Sequence, residues 1–271
     1  MLVDHHLHLE RGPYTPEDYP DGWLDRYLAA AAGAGVSHLG VVEHAYRFRE
    51  ADGLLPGPWS AARCRYALAP YLEFVERSRR RQVPVSFGLE VDYVPGAEAG
   101  IERLLKLFDW DFVLGSVHFV DGIGVDLEEH RALAARLGGV LWHRYFALSR
   151  DAAASGLFDI LTHPDLPKIF GDRSSEPLGE EYRLTAQAVA QAGMVLECNT
   201  AGLRRPVGEI YPAPGYLKAA HAAGVRVSLG SDAHEPENVG RDLAAGAALL
   251  RSAGYREVQR FVGRRAAPVP L

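Results

Sequence analysis

Residues 4–8, DHHLH, place three imidazoles directly after an apolar start. On a strand, successive side chains alternate between faces, so Asp4, His6 and His8 are expected to look one way and His5 and Leu7 the other. Two histidines at i and i+2 on one face can share a metal ion, because neutral imidazole is among the commonest ligands of zinc, iron and manganese. His5, on the opposite face, is expected to be packed or hydrogen-bonded instead. A strand end that is simply polar is the competing explanation, and the rest of the chain has to decide between the two.

Six more short apolar runs of strand type follow, at residues 38–44, 83–90, 112–118, 159–163, 195–199 and 227–234. Between them lie helical stretches at 23–35, 101–108, 141–155 and 184–193; in the second, Ile101, Leu104, Leu105 and Phe108 form one apolar stripe. This alternation, unbroken by any linker, predicts one α/β domain over residues 1–271, built as a seven-stranded (β/α) TIM-like barrel or a distorted relative. An open doubly wound sheet is the alternative. Nearly every predicted strand ends in a metal-binding residue type: His6 and His8, Glu43 and His44, Glu90, His118, His163 with Asp165, and Asp232 with His234. The C-terminal strand ends of a parallel barrel gather on one face, so these scattered residues are expected to meet in one pocket. His38, His130, His143 and His221 lie away from the strand ends and read as structural or surface residues. The irregular stretch 45–66, rich in Gly, Pro, Arg and aromatics, reads equally well as a lid or substrate wall or as a surface insertion.

A 271-residue chain with 48% hydrophobic and 24% charged residues describes an ordinary globular protein. Cys64 and Cys198 stand far apart, which leaves no disulfide framework and no CxxC signature and fits a reducing cytoplasm. No secretory leader is read ahead of the first motif, and no apolar run approaches the roughly 20 residues of a membrane span. A net charge of -6 argues against a general nucleic-acid surface. The basic run RSRRRQ at 77–82 reads as a solvated helix end.

Six imidazoles and two carboxylates exceed what one ion uses, since a catalytic zinc takes about three protein ligands and keeps a place for water. Two or three divalent ions fit better, and a donor set of nitrogen and oxygen without thiolate suits zinc, iron or manganese alike. Clustered ions lower the pKa of a shared water and clamp the oxygens of an in-line displacement, so hydrolysis is the expected chemistry.

Taken in order, HLH (6–8), EH (43–44), GLE (88–90), SVH (116–118), HPD (163–165) and SDAH (231–234) resemble the motifs of the PHP (polymerase and histidinol phosphatase) superfamily. Within that pattern, residues 163–171 (HPDLPKIFG) and 197–234 are similar to segments of monofunctional histidinol-phosphate phosphatases of histidine biosynthesis. The resemblance implies a distorted seven-stranded barrel with a trinuclear site. His6, His8, Glu90 and Asp232 would hold one ion, Glu90 would bridge to a second held by His118 and His163, and His44 with His234 would hold a third. Many members carry a histidine where this chain has Tyr14, so the third position needs Tyr14, Glu17 or another group of that loop, such as Glu10 or Asp18.

The resemblance further implies hydrolysis of a small-molecule phosphate monoester, L-histidinol phosphate, by a metal-bridging hydroxide. A phosphoryl group also needs cationic side chains beside the metals. Lys168 and Arg204, just past the fifth and sixth strand ends, are the first candidates, with Arg205 and Arg173 behind them. The acid that protonates the leaving alkoxide stays unassigned. A PHP phosphoesterase for nucleotides, DNA ends or phosphotyrosine is the alternative, followed by a non-catalytic metal-binding module.

Overall fold

The computed structural model describes residues 2–15, 18–55 and 57–271. Seven parallel strands pair in chain order: β1 (Leu2–His8), β2 (Val36–His44), β3 (Val85–Asp92), β4 (Phe112–Ser116), β5 (Ile160–Leu161), β6 (Val195–Asn199) and β7 (Arg226–Gly230). The sheet curls back on itself just past β7, where Asp232 N–H donates to His6 O at 2.8 Å and His8 N–H donates to Ala233 O at 2.7 Å. Closure at this rim makes the sheet a distorted barrel, as expected, with its C-terminal mouth drawn tight.

Amphipathic helices cover the outside. Asp21–Gly33 turns Leu24, Tyr27 and Ala31 inward, and Tyr27 Oη–H donates to His8 O at 2.8 Å, fixing the end of β1. Glu98–Leu105 buries Ile101, Leu104 and Leu105 as the stripe predicted, but ends before Phe108. Arginines of the basic run pair with acidic neighbours, Arg77 with Asp21 at 3.1 Å and Arg79 with Asp111 at 3.3 Å. His130 accepts from Gly124 N–H, His143 lies between Glu176 and Glu181, and His221 packs on Tyr255.

Inside the barrel, Val42, Phe112, Leu114, Ile160 and Val195 form a closed apolar layer, completed by Phe261. Phe261 comes from an antiparallel hairpin, β8 (Glu257–Val262) and β9 (Arg265–Pro270), that the sequence reading did not foresee. The hairpin stoppers the N-terminal end. Ser86 Oγ–H donates to Phe261 O at 2.5 Å, and Gly263 and Arg264 N–H donate to Asp111.

The strict alternation expected for β1 fails at its centre. Asp4 pairs with Leu39 and Leu7 with Val41, so β1 spends an extra residue over this stretch, a β-bulge. The bulge turns both His5 and His6 into the barrel. His5 points down: its ring centroid lies 4.3 Å from that of Phe112, and its Nε2 accepts from Phe261 N–H at 3.2 Å. His6 points up, toward the mouth. His5 is therefore not on the face opposite His6, although it is packed and hydrogen-bonded as expected. Gly40 allows this, since a Cβ there would sit 2.9 Å from His5 Cα.

Candidate metal centre and active site

Above the apolar layer, the strand ends build a polar one. Three sets of side chains, two of them sharing His8, each bring potential ligand atoms within 4.8 Å of one another: His6, His8 and Asp232; Glu90, His118 and His163; and His8, His44 and His234. All eight expected metal ligands thus meet at one mouth. Glu90 is the hub. Its Oε1 lies 3.1 Å from His163 Nε2 and 3.5 Å from His118 Nε2, while its Oε2 lies 3.1 Å from both His8 Nε2 and His44 Nδ1.

The donor set fits cations. His6 Nε2 and His8 Nε2 face each other at 3.0 Å, and buried His8 Nδ1 has no hydrogen-bond partner among the described residues. Burial, reinforced by repulsion from His44 and His234, lowers the His8 pKa to about 3, so this imidazole is neutral and open to a cation at neutral pH. Burial opposes charge on Glu90 and Asp232, yet the surrounding histidines outweigh it and hold both carboxyls below their usual range. Two ligands carry positive φ, His163 at 26° and Asp232 at 53°. Such backbone persists only where neighbours fix it. Here His163 N–H donates to Glu197 Oε2 at 2.8 Å, and Asp232 N–H to His6 O.

At the third set, Glu10 Oε1 lies 3.3 Å from His234 Nε2. Burial opposes its charge, but His44, His8, His234 and Arg47 lower the Glu10 pKa to about 2. Tyr14 does not reach the cluster: its ring stacks on Tyr19 at 4.3 Å. Glu17 lies outside the described residues. Glu43 serves the scaffold, accepting from Leu9 N–H at 3.0 Å and pairing with Arg47.

A cavity of about 160 Å³ opens over the cluster, walled by Arg11, Tyr46, Asp126, Leu166, Ile169, Arg205 and Tyr211 among others. Tyr46 comes from the 45–66 stretch, which therefore forms part of the wall. Lys168 and Arg204 are not on this lining. Lys168 Nζ is buried against Asp165 at 2.9 Å and donates to Ile210 O at 2.8 Å, beside a separate cavity that also holds Arg173. The Asp165 carboxyl, raised by burial and opposed by Lys168, gives its Oδ2 to that pair and to Ala213 N–H. Arg204 donates to the Ser231 carbonyl and stands 3.5 Å from Asp242. Arg11 pairs with Glu235 at 2.9 Å. Arg205 is exposed and, among the described residues, its guanidinium has no hydrogen bond or ion pair.

The PHP domain model matches residues 6–201, which spans six of the eight candidate ligands. The chain belongs to the PHP domain family. A probable histidinol-phosphatase of Deinococcus radiodurans is 39% identical over 268 residues, covering 95% of each chain. The histidinol-phosphatase of Bacillus subtilis is 27% identical, over 88% of this chain and 95% of its own. Among solved structures, histidinol phosphate phosphatase of Lactococcus lactis, complexed with zinc, L-histidinol and phosphate, superposes with a TM-score of 0.75 at 19% identity, covering 98% of both chains. That likeness shows the fold: the barrel of this PHP chain is the barrel of that enzyme.

A second layer of carboxylates orients the candidate ligands of this PHP site, and sequence reasoning missed it. His6 Nδ1–H donates to Glu197 Oε1 at 2.7 Å, which leaves Nε2 bare toward the cluster. Asp92 lies 2.9 Å from His118 Nδ1 and accepts from it in the same way. Burial opposes a proton on His118, but Asp92 and Glu90 outweigh it and raise its pKa to about 10. Ser116 Oγ–H donates to Glu90 Oε1 at 2.5 Å, and Asp4 holds Ser231 N–H and Oγ–H at 2.8 and 2.5 Å. The available signal was a carboxylate inside an apolar strand, as in VLECN, and one two residues past a ligand, as in LEVD.

Proposed function

We propose that this chain hydrolyses L-histidinol phosphate to L-histidinol and phosphate. The observation that carries the reading is the candidate ligand cluster itself, seven residues around Glu90 at a barrel mouth, in a chain 39% identical to a probable histidinol-phosphatase over nearly its whole length. His6, His8, Glu90 and Asp232 would hold one ion, Glu90, His118 and His163 a second, and His44, His234 and Glu10 a third, with zinc, iron or manganese all compatible with these donors. Ions bound there supply a coordinated water acidic enough to ionise near neutral pH and positive charge for the phosphoryl oxygens.

The protein groups do the remaining work. Glu197 and Asp92 fix the His6 and His118 rings in the tautomer that presents Nε2 to the cavity. Arg205, the unpaired guanidinium of the lining, takes the phosphoryl oxygens that the cluster leaves uncovered, a charge-assisted contact. Leu166 and Ile169 close the wall with apolar surface and exclude bulk water from the reacting bond. The free thiols Cys64 and Cys198 fit a reducing, cytoplasmic setting. Turnover of L-histidinol phosphate, a nucleotide monophosphate, phosphotyrosine and a DNA 3′-phosphate by the purified protein tests the reading. A clear preference for L-histidinol phosphate is expected. Equal or greater turnover of another ester would move the substrate assignment there, and no turnover of any would leave a metal-binding module.

A further inference from the structure

Among the described residues, the wall above the candidate metal cluster holds a carboxylate without a partner. Asp126 lines the cavity, and its buried Oδ1 has no hydrogen-bond partner among the described residues. Nor does any ion pair among the described residues involve it. It belongs to none of the three ligand sets, yet it stands close enough to the cluster to favour a proton on His118 and to disfavour ionisation of Tyr46 and Tyr211.

Its position is fixed. The chain leaves β4, makes a two-residue hairpin, Phe119–Val120 against Ile123–Gly124, and returns so that Val125 N–H donates to His118 O at 2.8 Å. Gly124 N–H donates to His130 Nδ1 at 2.8 Å, and the buried Val125 anchors the next position. Asp126 is thereby delivered to the lining beside His118, on a wall contributed by different elements from that of Arg205.

A buried carboxylate oxygen without a partner is costly unless something fills it. Arg205 matches the phosphate end of a substrate; Asp126 is the matching feature for a cation carried by the same molecule. We propose that Asp126 is a specificity residue that receives the substrate's ammonium group, so that the site selects phosphate esters of amino alcohols over plain alkyl or aryl phosphates. The inference rests on the phosphatase reading above and narrows it: the substrate has to be zwitterionic, with the ammonium a few bonds from the ester oxygen. L-Histidinol phosphate meets that demand.

The test is a cycle between enzyme and substrate. Wild type and Asp126→Asn, both with metals bound, are assayed on L-histidinol phosphate and on its deamino analogue, with metal content measured in parallel. Loss of a charge-assisted contact predicts that removing the substrate amine lowers wild-type kcat/KM by about 10- to 100-fold, mostly through KM, and lowers that of the variant by less than about threefold. Equal sensitivity of both enzymes to the amine would overturn the proposal. So would a drop in metal content in Asp126→Asn, which would make the residue a ligand. The phosphatase reading is judged separately, by whether wild type turns over L-histidinol phosphate at all. If it does and the cycle shows no coupling, only the assignment of Asp126 falls.

Discussion

The bulge in β1 makes a sharp contrast between neighbouring residues: His5→Ala should cost stability and spare the metals, whereas His6→Ala should cost the metals. His5 is 1% exposed, its ring packs on Phe112, and its Nε2 accepts from Phe261 N–H at 3.2 Å. Truncating a buried ring of this size and polarity removes roughly 2–3 kcal/mol of packing. Leaving the buried Phe261 N–H without an acceptor adds about 1–3 kcal/mol. Partial relaxation of the hairpin tempers the sum, so the expected loss is about 3–5 kcal/mol, or roughly 6–15 °C in melting temperature for a chain of this length. His6, in contrast, offers Nε2 to the cluster, and its removal also strips Glu197 of its main partner. Thermal unfolding and elemental analysis of the two variants decide the matter. A double-mutant cycle of His5→Ala with Phe261→Ala should show a coupling of about 1 kcal/mol, because the two side chains share one contact. Equal metal loss in both single variants, or a His5→Ala protein that melts like wild type, would refute the bulged register.

Four further outcomes are expected. Elemental analysis should find at least two transition-metal ions per chain, and a chelator should abolish turnover until metal is restored; full activity with one ion or fewer would sink the multinuclear reading. Glu10→Ala should lower the stoichiometry by about one ion while the ions at the Glu90 hub remain, which metal titration reads directly. Arg205→Ala should reduce kcat/KM by about one to two decades on amine-bearing and plain phosphate esters alike, with metal content unchanged; wild-type kinetics would shift phosphate contact to another cation. Burial, aided by Arg260, lowers the His38 pKa to about 4, so the folded protein refuses a proton that the unfolded chain accepts below about 6.5. Stability should therefore fall as pH drops from about 6.5 to 4, by about 1–2 kcal/mol after solvent screening of this half-buried ring. Unfolding free energies from denaturant titration of wild type and His38→Gln at pH 7 and pH 4 should diverge by that amount.

Much of the barrel was legible because each strand announces its end chemically. An apolar run that stops at His or a carboxylate marks both the direction of the strand and the face on which it finishes, and β1 to β4 and β6 fall close to where those runs lie. The fifth strand is shorter than its sequence suggests. Thr162 N–H still donates to Gly115 O, but His163 swings to positive φ and gives its N–H to Glu197, so the ladder ends at Leu161. The C-terminal hairpin escaped notice for a different reason. Its second strand carries Pro268 and Pro270, which argue against pairing, yet at a sheet edge a missing N–H is harmless. Its role depends on one side chain, Phe261, filling a hole that exists only once the barrel has closed.

The site divides in the same way. First-contact ligands are readable because their residue type is itself the chemistry: a histidine at a strand end can bind a metal whatever surrounds it. Lys168 and Arg204 are harder to read, because a positive charge near a strand end has two uses, and the choice between them depends on partners remote in sequence. Asp165 captures Lys168, while the Ser231 carbonyl and Asp242 engage Arg204. The orienting carboxylates were hidden for the converse reason. Glu197 lies 191 residues from His6, and nothing in VLECN says which imidazole it will meet. The bulge is the deepest case. A period of two assumes an unbroken ladder, and the only local hints are glycines that leave room beside β1, Gly40 next to His5 and Gly230 next to His6. At Gly230 a Cβ would stand 2.7 Å from the His6 Cβ and 2.6 Å from Glu197 Oε1, so a side chain there would press on the ligand and its orienting partner together. The extra residue in β1 and the missing side chain in β7 are thus two halves of one arrangement. Both are needed for two adjacent histidines to enter the same barrel, one to hold its floor and the other to face its mouth.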